Sequence, residues 1–400
     1  MTATAATAAD TLRHAVLTGD DQACRDAFSL LSDFDDGRGY LDDVGDVARS
    51  LMNKADASEV KLRPYSLAFD MEEARDRPFF PEALTPFYGT AVWGDLNEAQ
   101  RLFLNHLQFV VHYTGLGFSE KGTIYYDTWA SACLPERHAI LSDYLRREAE
   151  EEHDHIACFW NLSVKILEHY FPGRGLAIHT EMREFIRSSV NQPLYYRSFS
   201  SPLLMAKTFE LMCHHFSAIA GSFYTLRMFG NMRIKSYDIQ NKKDASVHPT
   251  IAAMSRDHWE DEARHTAMSG AMGLGALKTG CSKEARSLVW DAFFAGEVGY
   301  EAERLFYNSY IFGKGPLAKL VLKHAMRHPM MKPLGADGLR AMREALAAPS
   351  TNPFLAEIGA WEVDRYSDMI RRLDLDAGIE ARQLAALQRF SQHPLAARPQ

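Results

Sequence analysis

Along most of the chain apolar residues recur every three to four positions, and period-two alternation bounded by turn signals is scarce. The pattern predicts an all-α protein. Long helices are expected over about 95–133, 136–170, 201–229, 248–277 and 282–313, with shorter ones over about 316–328, 336–347, 353–373 and 377–392. Pro135 suits the opening of the second long helix, the Pro172-Gly173-Arg174-Gly175 run stops it, and Pro249 suits the first turn of the fourth. An N-terminal helical extension within about 6–56 precedes an irregular stretch rich in Pro and aromatic residues, the one plausible internal boundary. The expected organisation is therefore an extension over residues 1–60, a helical-bundle core over 61–314, and C-terminal helices over 315–400 packed on that bundle. No repeat of fixed period is present.

Two of the long helices carry the same chemical unit. Glu152-x-x-His155 and Glu262-x-x-His265 place a carboxylate and an imidazole one turn apart on one helix face, where both reach a single ion. His258 lies four residues before Glu262, so three side chains of that helix fall within an arc of about 60°. Ile251, Met254 and Met272 make the rest of that face apolar. The run Glu150-Glu151-Glu152-His153-Asp154-His155 also contains Glu150-x-x-His153, but that pair continues a charged face with Asp143, Arg146 and Arg147. Glu152 and His155 continue an apolar one with Leu141, Leu145, Ala149, Phe159 and Ile166, which assigns them to the metal.

Such units are the ligand set of a carboxylate-bridged metal pair in a helical bundle, which also needs one Glu from each of two further helices. The fold class expected is all-α, a ferritin-like bundle core with extra N- and C-terminal helices. Glu210, in an apolar setting with Leu203 and Ala206 on its face, is costly to bury without a cation and fits one vacancy. Glu120, on a face with Phe109, Tyr113, Leu116 and Ile124, fits the other, with Asp127 and Glu98 as competitors. Two divalent ions would neutralise four packed carboxylates, and a mixed oxygen and nitrogen shell suits iron or manganese. Glu151 and Asp261 precede the metal glutamates and are placed to accept the outer N–H of a histidine from the opposite helix.

Other residues carry weaker signals. His214 follows Glu210 by one turn, and a supporting or core histidine is its default. Tyr125, Tyr126, Phe223, Tyr224, Trp129 and Trp259 are expected in core packing, though a substrate pocket could use them. Ser217 and Gly221 are read either as room for a substrate or as close helix packing. Arg264 and Arg304 each follow a carboxylate by a turn, Glu260 and Glu301, which favours ion pairs over a role in binding an acidic substrate.

Bulk properties narrow the partners. A net charge of -8 and the lack of a basic run with interleaved aromatics disfavour nucleic acid. The five cysteines form no C-x-x-C pair and argue against a disulfide framework, so a reducing, cytoplasmic compartment is expected and the thiols are expected to be buried and inert. No export signal and no membrane-spanning segment are expected. No Gly-x-Gly-x-x-Gly turn marks a nicotinamide or flavin site.

Glu120, Glu151-Glu152-x-x-His155, Glu210 and His258-x3-Glu262-x2-His265 together resemble the diiron N-oxygenases typified by p-aminobenzoate N-oxygenase (AurF-like) over about 95–310. His258 is the most specific element, because that family adds a third histidine there; Glu151 departs from its usual Asp. The resemblance implies that Glu120, Glu152, His155, Glu210, His258, Glu262 and His265 are ligands and catalytic residues of two iron ions. It implies an O2-dependent monooxygenase that takes a small-molecule amine to the hydroxylamine, nitroso or nitro level, in natural-product biosynthesis. Electrons come from an external donor, an electron-transfer protein or a reductant. The other functions weighed are a diiron C-hydroxylase or desaturase and, third, an iron-binding protein without catalysis, against which the length argues. A homodimer is a fair expectation for such a bundle.

Overall fold

The computed structural model describes residues 22, 40–57, 61–188, 217–279, 282–291, 316–347 and 352–391. Among them every regular element is a helix, and the protein is all-α. In chain order the α-helices are α1 (Tyr40–Ala57), α2 (Arg63–Ala68), α3 (Met71–Ala74), α4 (Ala91–Asp95), α5 (Glu98–Cys133), α6 (Ala139–Tyr170), α7 (Gly175–Ser188), α8 (Ser217–Lys243), α9 (Pro249–Thr279), α10 (Lys283–Val289), α11 (Pro316–Ala325), α12 (Gly335–Ala347), α13 (Pro353–Arg372) and α14 (Ala377–Ser391).

Two antiparallel hairpins carry the centre of the molecule, α5 with α6 and α8 with α9. Each is started by local chemistry. α5 opens on a reciprocal cap in which Asn97 Oδ1 accepts from the Gln100 N–H and Gln100 Oε1 from the Asn97 N–H, both at 2.9 Å. Pro249 occupies the first turn of α9, where its missing N–H costs nothing. The second hairpin is closely packed because glycine permits it. A Cβ at Gly221 would lie 2.6 Å from Leu277 Cγ, and one at Gly273 would lie 2.8 Å from the Thr225 backbone nitrogen. Gly221 thus serves close helix packing.

Phe79, Phe80, Phe103, Phe109, Tyr113 and Phe159 form the apolar core at one end of the first hairpin. The irregular stretch before α5 is pinned there by Asn105, whose Oδ1 accepts from the N–H groups of Phe79 and Phe80 at 2.7 and 3.1 Å. Its amide donates to the Phe80 carbonyl at 2.9 Å. Asp154 likewise accepts from the N–H groups of Leu62 and Arg63, holding the start of α2 on α6. α1 packs on α6 and α9. No described helix is long and apolar enough to cross a membrane.

Several elements differ from the sequence expectation. The third long helix is expected to stop near 229, yet α8 runs to Lys243 and ends at the turn over Asp244–Val247. α7 was not expected. The Pro172–Gly175 run is a tight turn from which an amphipathic helix starts at once, with Ile178 and Met182 buried. Tyr125 and Trp129 are surface residues at 37% and 39% exposure, whereas Tyr126 and Tyr224 are buried edge to face, 4.9 Å between centroids. Cys158 is buried, and the side chains of the other cysteines, His214, Phe223 and Ser217 lie outside the described residues.

Candidate metal centre

The two hairpins face each other across a set of buried acids and imidazoles. Glu120 comes from α5, Glu148, Glu152 and His155 from α6, and His258, Glu262 and His265 from α9. The helix register explains the selection. On α6, Glu148, Glu152 and His155 are buried with Leu141, Leu145 and Phe159, while Asp143, Arg146, Glu150 and His153 are exposed.

The donors fall into two groups. Glu120, His155, His258 and Glu262 each offer one atom within 4.8 Å of the others, and so do Glu148, Glu152 and His265. His258 Nε2 stands 3.6 Å from Glu120 Oε1 and 3.5 Å from Glu262 Oε1. The same Glu262 oxygen lies 3.9 Å from His155 Nδ1 and 3.4 Å from His265 Nδ1, which puts it between the groups. Glu152 approaches from the other side, 3.2 Å from His155 Nδ1 and 3.4 Å from His265 Nδ1.

Each imidazole turns its second nitrogen to a carboxylate outside the groups. His155 Nε2 meets Asp261 Oδ2 at 3.1 Å, His265 Nε2 meets Glu151 Oε2 at 3.0 Å, and His258 Nδ1 meets Asp238 Oδ2 at 2.7 Å. The first two contacts cross between α6 and α9 in opposite directions. These bonds fix ring orientation and turn the inner nitrogen of each ring toward the donor groups. Arg264 braces the pair of carboxylates, donating to Glu151 Oε1 at 3.0 Å and Asp261 Oδ1 at 2.5 Å.

Burial and close neighbours shift the protonation of these groups in opposite directions. Burial and the Glu152 charge push the Glu120 carboxyl up to about 7. Burial also pushes the Glu152 carboxyl up, as does Glu262, but bonds from His155 and His265 outweigh both and hold it down to about 2. For His155, burial opposes the charged form, and the bonds to Asp261 and Glu152 prevail, raising it to about 10. Both Glu120 oxygens, Glu262 Oε2 and His258 Nε2 are buried with no hydrogen-bond partner. Buried acceptors left unpaired are costly, and a cation between them removes that cost. The oxygen and nitrogen donor set fits a first-row divalent ion.

Of the residues singled out from the sequence, Glu120, Glu152, His155, His258, Glu262 and His265 are brought together, and Glu151 and Asp261 stand behind two of the imidazoles. Glu210 and Arg304 lie outside the described residues. Of the competitors of Glu120, Glu98 is exposed on the first turn of α5 and Asp127 is buried at a 3.9 Å approach to Arg227. Arg264 contacts Glu151 and Asp261, where Glu260 was the expected partner, because its side chain turns inward from α9.

Three residues escaped sequence reasoning. Glu148 sits one turn before Glu152, a spacing that repeats His258 and Glu262 and was readable. Asp238 was placed beyond the expected helix end. Arg227 was hidden for want of a carboxylate partner nearby in sequence. It is a buried guanidinium in contact with Glu148 and 3.0 Å from Glu152 Oε1.

Fold and site together define an all-α protein with a buried carboxylate–histidine centre able to hold metal ions. Over residues 52–199 the chain is similar to the family described as acyl halogenase CylC-like. That stretch carries Glu120, Glu148, Glu151, Glu152 and His155 and ends before α8 and α9. No curated protein and no solved structure matches the chain.

Proposed function

We propose that this protein is an O2-dependent, non-haem diiron oxidoreductase that acts on an organic small molecule and draws electrons from an external reductant. The observation that carries the reading is the pair of donor groups around Glu152 and Glu262, with unpaired acceptors facing inward and a supporting carboxylate behind every imidazole. Glu120, His155, His258 and Glu262 would hold one ion and Glu148, Glu152 and His265 the other. When bound, the ions supply O2 reduction and the oxidising power for substrate attack. The chain's part is to orient the three imidazoles through Asp261, Glu151 and Asp238, and to keep the centre dry within α5, α6, α8 and α9.

The reaction we place first is halogenation of a C–H carbon in the chain of an acyl substrate, supported by the match to the CylC-like family over 52–199. It balances as R–H + X⁻ + O2 + 3H⁺ + 2e⁻ giving R–X + 2H2O. N-oxygenation is the second reading and rests on His258, the third histidine of the pattern shared with the N-oxygenases. It balances as R–NH2 + O2 + 2H⁺ + 2e⁻ giving R–NHOH + H2O and consumes no halide.

The test is anaerobic loading with Fe(II), determination of iron per chain, and exposure to O2 and reductant with fatty-acyl and arylamine panels, with and without chloride or bromide. Mass spectrometry showing halide-dependent replacement of hydrogen in an acyl substrate supports the first reading. An oxygen added to an amine without halide supports the second. A chain that takes up no iron removes both.

A further inference from the structure

The two donor groups differ in what already occupies them. The first offers two carboxylates and two imidazoles, with Glu120 Oε1 and Oε2, Glu262 Oε2 and His258 Nε2 making no hydrogen bond, as is also true of both Glu148 oxygens in the second. The second offers two carboxylates and one imidazole, and a cation is already there. Arg227 Nη2 contacts Glu148 Oε1 and lies 3.0 Å from Glu152 Oε1. These are the same two oxygens that face His265 Nδ1, at 3.8 and 3.4 Å. The guanidinium therefore sits on the atoms a second metal ion would need.

Its position is built. α8 delivers Arg227 from the packed hairpin, where Nη1 donates to Ser269 Oγ of α9 at 3.4 Å and approaches Asp127 Oδ2 of α5 at 3.9 Å. The side chain is 4% exposed, so water does not screen it. Burial alone disfavours the guanidinium charge, and Glu148, Asp127 and Glu152 more than restore it. Because an arginine stays protonated at any working pH, its charge cannot be shed to admit a metal ion.

On the reading that this is a dimetal centre, we infer that Arg227 is a resident counter-cation of the second position, so that the two ions bind with unequal affinity and in a fixed order. The first ion enters the Glu120, His155, His258 and Glu262 group, which no arginine or lysine of the described residues occupies. The second binds only by drawing Glu148 and Glu152 away from the guanidinium, and its affinity is lowered by the contacts it breaks. Arg227 acts as a positioning residue, through the two glutamates.

The experiment is anaerobic Fe(II) titration of the wild-type chain, followed by calorimetry and by bound iron after desalting, with Mn(II) as a second probe. The expected isotherm has a tight and a weak event, and desalted protein retains close to one ion. In Arg227→Met the weak event tightens by at least about tenfold and two ions are retained; Arg227→Lys, which keeps a charge but loses the planar fork, falls between. Should Arg227→Met fold only when metal is supplied, that too supports the inference, because the ion then replaces the missing charge. Two wild-type events of equal affinity, or Arg227→Met weakening the second event, overturn it while leaving the dimetal reading intact. Absence of any wild-type binding overturns the dimetal reading itself, an outcome distinct from the other two.

Discussion

His106 and His258 are equally sealed from water, both 0% exposed, yet their surroundings give them opposite characters. His106 stacks on Phe79 at 3.9 Å and is satisfied by two neutral groups. Nε2 donates to the Arg77 carbonyl at 2.8 Å, which leaves Nδ1 to accept from the Tyr170 hydroxyl at 2.6 Å. Nothing remains to attract a proton or an ion, and burial lowers its pKa to about 3. His258 gives Nδ1 to Asp238 and points Nε2 between Glu120 and Glu262 with no hydrogen bond made. Burial again disfavours the charge, and the Asp238 charge and bond overturn it, raising the pKa well above 6.5. A buried histidine with neutral partners on both nitrogens is a packing element, and one with acids on both sides marks the seat of a cation.

The largest effect should come from Glu262, whose Oε1 stands between the two groups. Glu262→Ala is expected to abolish stoichiometric iron binding while the chain stays helical, as read by elemental analysis and far-UV circular dichroism. Iron retained at the wild-type ratio would break the assignment.

Asp238→Asn should be milder. The amide can no longer support the His258 ring as a carboxylate does, and affinity for the first ion should fall about 10–100-fold, a loss an isotherm resolves. An unchanged isotherm would make Asp238 a packing residue like Tyr170.

On the other side of the contrast, His106→Leu should cost about 1–3 kcal/mol in denaturant stability, because it strands the Arg77 carbonyl and the Tyr170 hydroxyl. Iron per folded chain should not change. The remaining effect shows only on acidification. The folded His106 resists a proton down to about 3, whereas the unfolded chain accepts one at its ordinary 6.5. Its stabilising contribution is therefore complete above 6.5 and is lost as pH falls toward 3, with a slope approaching about 1.4 kcal/mol per pH unit. His106→Leu should flatten that part of the stability profile.

The same contrast explains what sequence could and could not reveal. Glu152, His155, Glu262 and His265 were legible because a helix turns spacing into a face, and the neighbours on that face disclosed which register was buried. The boundaries of α5, α6 and α9 were legible for similar reasons, from Pro135, Pro249 and the apolar period. Asp238 was not, because its role depends on α8 running on past 229, where the helix was expected to end. Arg227 was not, because its partners Glu148, Glu152 and Asp127 come from α5 and α6 and meet it only once the hairpins dock. Local period predicts which residues are inside, while long-range docking decides which charges meet there.

The crossed bonds from His155 to Asp261 and from His265 to Glu151 act as a pair of latches between α6 and α9 that engage only at one alignment. A slip of one helix along the other by a single turn, about 5.4 Å, would undo both at once and separate Glu152 from Glu262. Assembly of the carboxylate–histidine cluster is thus tied to one helix alignment: a misaligned bundle does not bring the cluster together.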